Sequence, residues 1–141
     1  WQTTDVAGLT NATQLPIVMT FNCLDGYFVQ PSDPATFSDT LDAMAEVMQR
    51  KSGGGSIAAI SPSGLGLTDD QLAFRKILLD VMFQDNVREI GEALRLAKNI
   101  YHAKNGPDYP IATEMLFGDP ATRLPQQVIR TMYLPLLSRA D

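Results

Sequence analysis

Residues 15–22, LPIVMTFN, form an apolar run rich in β-branched and aromatic side chains, flanked by Gln and by the polar turn residues that follow. The run is too short for a helix and does not alternate, which predicts a central strand buried on both faces. The Pro- and Ser-rich stretch VQPSDPATFSD then leads to a predicted helix over 38–51. There Leu41, Met44, Ala45, Val47 and Met48 recur at helical spacing, with Asp42, Glu46, Gln49 and Arg50 opposite. Gly53, Gly54 and Gly55 end that helix, and 56–61, SIAAIS, reads as a second short buried strand. Strand, helix, strand is the order of a right-handed parallel crossover.

Beyond SPSGLG, Thr68 is expected to cap a helix running to about residue 84, with Asp69 and Asp70 favourably placed in its first turn. Its apolar residues, from Leu72 and Phe74 to Met82 and Phe83, cover most of the circumference, so the helix is expected to be largely buried. A further helix over 87–104 carries Val87, Ile90, Leu94, Ala97 and Tyr101 on one stripe, and Asn105-Gly106-Pro107 stops it. Residues 113–117, TEMLF, fit either a short strand or the last turn of a helix, with Gly118-Asp119-Pro120 as the turn beyond. From Gln126 a tail containing MYLPLL, broken by Pro135, suits an edge strand or docking segment. The pattern as a whole is α/β: a mostly parallel sheet flanked by helices.

The length of 141 residues and 45% hydrophobic content bound one core that needs neither disulfides nor metals. The net charge of -5, without a basic cluster or an aromatic-and-Arg ladder, argues against a nucleic-acid partner. No apolar run is long enough to span a bilayer, and the N-terminal stretch has neither the basic nor the apolar region of a signal peptide. The chain opens on Trp1 rather than Met, and reads as a piece of a longer or processed protein. Asn11-Ala12-Thr13 fits an N-glycosylation pattern that also arises by chance.

In open parallel sheets, reactive groups collect beyond the C-terminal strand ends. The single cysteine, Cys23, sits there, followed by Leu24, Asp25 and Gly26, where glycine lets backbone approach a ligand. A reactive thiolate needs a base, usually His, and N–H donors for an oxyanion. A cysteine at a strand end is also commonly inert packing. The only histidine, His102, falls beside Arg95, Lys98 and Arg88 on the polar side of its helix, so a base for Cys23 is expected outside this chain. The glycine run precedes a strand and lacks the Gly-Lys-Ser/Thr of a phosphate loop. Asp69, Asp70, Asp80, Asp85, Asp108 and Asp119 lack the spacing of a calcium loop, and Asp119 is expected to fix a turn.

Taken in order, PIVMTFNCLDGYF, a helix, GGGSIAAISPSG, two helices with IGEALRLAKN, and LFGDPATRL resemble the gingipain-type cysteine peptidases, peptidase family C25, over 1–124. The resemblance implies a caspase-like fold, of which this chain is the C-terminal part, with 1–125 in the catalytic domain and 126–141 as a tail. It implies a cysteine endopeptidase with Cys23 as nucleophile and its backbone N–H as an oxyanion donor. Ser61, Pro62, Ser63 and Gly64 would lie beside the pocket for the residue N-terminal to the scissile bond. The family's His-Gly motif would fall just before Trp1, so the catalytic His belongs to a companion N-terminal segment or chain. A protein or peptide substrate, no cofactor, and a secreted or cell-surface location follow from the same resemblance; a structural calcium stays open. Two alternatives share the scaffold: a non-catalytic surface-assembly module and a transpeptidase.

Overall fold

The structure, a computed structural model, describes residues 2–29, 42–107 and 109–125. The elements in chain order are α1 (Thr3–Val6), β1 (Ile17–Met19), α2 (Met44–Arg50), β2 (Ala58–Pro62), α3 (Thr68–Phe83), α4 (Ile90–Asn105), α5 (Tyr109–Thr113) and β3 (Glu114–Gly118). Most of the VQPSDPATFSD loop, the predicted helical residues 38–41 and the tail from Gln126 lie outside the described residues.

The described sheet has the order β1-β2-β3. β1 runs parallel to β2, pairing Ile17, Val18 and Met19 with Ala58, Ala59 and Ile60. The strand–helix–strand order therefore yields the parallel pair it predicts. β3 is antiparallel to β2, from Glu114 opposite Pro62 to Gly118 opposite Ala58. Alternation along β2 points Ala58 and Ile60 at α3 and α4, where they join Phe74, Leu78, Val81, Met82, Ile90, Ala93, Ala97 and Tyr101. The opposite face packs on α2, which buries Ala45 and Met48. All five residues of β2 are consequently buried.

β1 departs from its expected burial on both faces: Ile17, Val18 and Met19 are each only half-buried. It ends the sheet order among the described residues, so one edge and part of one face have no covering element there. α3 is likewise more one-sided than its composition predicts. Phe74, Leu78, Val81 and Met82 face inward, whereas Leu72 and Phe83 stand exposed on the far side. Thr68 is not the cap of α3 but its first residue. The cap position is Leu67, in extended conformation at φ -87 and ψ 142, and no side chain caps the helix.

α4 begins at Ile90 rather than Val87, which stands half-buried ahead of it, and buries Ile90, Leu94, Ala97 and Tyr101 of the predicted stripe together with Ala93. Tyr101 meets Phe74 of α3 edge-on, ring centroids 5.8 Å apart. The ambiguous 113–117 segment is both things at once, since α5 ends at Thr113 and β3 begins at Glu114. Gly55, at φ +99, makes the turn between α2 and β2 that a side chain would strain. Asn11 braces that turn: its Oδ1 accepts from Gly55 N at 3.0 Å and its Nδ2 donates to Gly55 O at 3.0 Å. The amide of the Asn-Ala-Thr triplet is thus committed to the fold.

Candidate functional site

Hydrogen bonding from β1 to β2 continues one residue past the strand, Thr20 N donating to Ile60 O at 3.0 Å. The chain then breaks into a turn that carries Cys23. Leu24 adopts φ +67, an uncommon conformation for a residue with a side chain. Tyr27 N closes the turn on Leu24 O at 3.0 Å. Such backbone strain persists only where the surroundings impose it, and it concentrates at functional sites.

The surroundings here are the loop between β2 and α3. Leu24 N donates to Gly64 O at 3.2 Å, and Gly26 N to Pro62 O at 2.9 Å. Gly26 is buried so tightly that a Cβ would stand 2.9 Å from both Ser61 O and the Phe117 ring. Its lack of a side chain lets the turn close on the sheet. From α3, the buried Gln71 sends Nε2 to Asn22 O at 2.6 Å. The cysteine itself is exposed, its Sγ 3.7 Å from Gly66 O. Among the described residues its backbone N–H donates to no protein acceptor.

The residues singled out by sequence around this turn fall into two groups. Ser61 and Pro62 are the last two residues of β2 and fully buried, with Ser61 Oγ accepting from Thr20 Oγ1 at 2.9 Å. Ser63 and Gly64 are half-buried and form the shelf beneath the Cys23 turn. Ser63 is held from below, its N and its Oγ both donating to Thr113 O, at 2.8 and 3.0 Å. His102 is exposed in the last turn of α4, and among the described residues no hydrogen bond joins it to Cys23. Asp119 fixes its turn as expected, Oδ1 accepting from Ala121 N at 2.8 Å. No group of three His, Cys, Asp or Glu side chains converges as a metal site among the described residues. Nor is any helix there long and apolar enough to cross a membrane.

Sequence reasoning missed Gln71, Thr113 and Glu114. Glu114 opens β3 directly beneath the shelf, only 1% exposed, and neither carboxylate oxygen has a hydrogen-bond partner among the described residues. Burial raises its pKa from 4.5 to about 7, while the Lys98 ammonium on α4 pulls the other way. Burial in turn lowers the pKa of Lys98, against the field of Glu114. A signal for Glu114 was present: it is the single charge between Asp108 and Asp119, set inside an apolar run.

The structure superimposes on the crystal structure of the Arg-specific cysteine proteinase gingipain R (RgpB) with a TM-score of 0.74, at 22% identity over 89% of this chain and 29% of that one. It likewise matches the complex of Porphyromonas gingivalis RgpB pro- and mature domains, with a TM-score of 0.71 and 21% identity over 88% of this chain and 30% of that one. The chain thus spans less than a third of the length of these structures. Comparison with curated proteins yields no match. The family profile described as Peptidase family C25 matches residues 1–125, and the chain belongs to that family.

Proposed function

We propose that this chain is the nucleophile-bearing part of a cysteine endopeptidase, with Cys23 as nucleophile. The observation that carries the reading is the exposed thiol on a strained, multiply anchored turn at the end of β1, in a chain of peptidase family C25. The thiolate attacks a peptide carbonyl carbon, and the electron pair of the carbonyl moves onto oxygen. In this reading the Cys23 N–H, which has no acceptor among the described residues, donates to that oxyanion. Collapse of the intermediate expels the amine, which takes a proton from the base, and water then cleaves the thioester.

In this reading, carried by the family likeness, the base is a histidine from a companion segment upstream of Trp1; His102 is exposed on α4 and makes no hydrogen bond to Cys23 among the described residues. Ser63 and Gly64, backed by the buried Ser61 and Pro62, form the wall beside the substrate residue N-terminal to the scissile bond. The substrate is a protein or peptide, and the location proposed from the family likeness is secreted or cell-surface. In the complete protein Cys23→Ala is expected to abolish peptide cleavage, and a thiol-directed peptide inhibitor to label Cys23. Cleavage retained in Cys23→Ala would reject the assignment. An added amine nucleophile separates hydrolysis from transpeptidation by the product formed.

A further inference from the structure

Glu114 is not needed by the chemistry above, yet it occupies the place from which the Cys23 turn is held. It follows directly on Thr113, whose carbonyl takes both hydrogen bonds of Ser63. Ser63 is followed by Gly64, whose carbonyl holds Leu24 N, and Gly66 O lies against Cys23 Sγ. Gly64 also packs so closely on the Thr113 side chain that a Cβ there would stand 2.6 Å from Thr113 Cγ2. The junction of α5 and β3 and the turn carrying the thiol are therefore joined by one short series of bonds. We propose that Glu114 is a positioning residue whose protonation state sets the geometry of the Cys23 turn, acting through Thr113 and Ser63.

The physical basis is the state of the carboxyl group. Protonated, it tolerates burial beneath the shelf. Ionised, it is a buried charge with no donor on either oxygen among the described residues, and it must acquire donors by admitting water or drawing in a cation. The cation within its field is Lys98, half-buried on α4 and without an ion pair among the described residues. The other elements packed on β3 bring no charge to it: β2 has no ionisable residue, Tyr109 is the only such side chain in α5, and α2, which carries Glu46 and Arg50, packs on the opposite face of the sheet. No charged side chain of α3 acts on Glu114 among the described residues. Either way of satisfying the carboxylate displaces the α5–β3 junction, and with it Thr113 O. The shift of Glu114 to about 7 places that change near neutral pH.

The role rests on Cys23 being the nucleophile only for its catalytic consequence, so the test reads the thiol directly. Alkylation of Cys23 by iodoacetamide is followed in the complete protein from about pH 5 to about pH 9, a range spanning the raised value of Glu114 and ordinary Cys ionisation. The wild type is expected to show an inflection near neutrality in addition to that of the thiol itself. Glu114→Gln is expected to lose that inflection, its rate following the ionisation of the thiol alone, because the α5–β3 junction no longer responds to pH. Lys98→Met is expected to move the inflection to higher pH, since Lys98 favours the ionised form. A Glu114→Gln profile superimposable on the wild type would overturn the proposal. If Glu114→Gln does not fold, an unmoved inflection in Lys98→Met overturns it instead. Failure of peptide cleavage leaves these alkylation profiles unchanged, so the catalytic assignment and the positioning role fail separately.

Discussion

A carboxyl group enclosed without a hydrogen-bond donor keeps its proton far above the usual range, as Glu114 does up to about 7. Between its ordinary value of 4.5 and about 7 the folded chain holds a proton that the unfolded chain has released. Stability therefore falls as pH rises through that window, by about 3 kcal/mol in total, and levels off above it. Glu114→Gln is expected to flatten this dependence and to melt above the wild type in mildly alkaline buffer. Thermal melts of the two complete proteins across the window decide it, and an equal slope in both would count against the burial account. Gly26 poses the opposite packing problem: the Cys23 turn rests on the sheet only because no side chain intervenes. The Leu-Asp-Gly turn was legible as a place where backbone could approach something. That the something is Ser61 O and the Phe117 ring was not, because both arrive from distant parts of the chain.

At the scale of elements, the α3–α4 pair supplies most of the core against the sheet. Leu78, with no exposed surface, sits at its centre. Leu78→Ala is expected to destabilise the protein by roughly 2–5 kcal/mol through lost contacts and a residual cavity. Leu72→Ala, on the exposed side of the same helix, is expected to change little. Chemical denaturation of the two variants side by side checks the assignment of faces. The 3.6-residue stripe of α4 could be read directly, since polar residues alternate with it at helical spacing. α3 could not, because its apolar residues run round the helix and only contact with α4 and the sheet selects the buried side. The same holds for the start of α3. Thr68 has the chemistry of a cap, but the loop anchored on Cys23 places Leu67 in extended conformation and begins the helix one residue earlier.

For the whole molecule, the decisive feature is the free edge of β1 among the described residues. Its residues are half-buried, and among the described residues its outer backbone groups meet no other strand, a template for another one. The 141-residue chain by itself is therefore expected to self-associate. Adding the upstream segment that supplies the proposed histidine is expected to restore a monodisperse species. Sedimentation of the chain alone, against the complete protein, measures this; a monomeric chain alone, unfolding cooperatively, would overturn it.

The sequence by itself determined the α/β class, the parallel crossover, the α4 stripe, the glycine turns and a cysteine at a strand end. Each follows from local periodicity or from one residue's conformational range, and neighbours suffice to express both. The tertiary structure alone decided that Cys23 is exposed, that Leu24 is strained, that Gln71 holds Asn22 and that Thr113 holds Ser63. It also put a lone carboxylate under the shelf. These depend on which non-local groups meet, and a pattern of apolar and polar positions carries no record of partners. The run that opened as a doubly buried strand ends as a half-covered one because its burial belongs to what lies beside it.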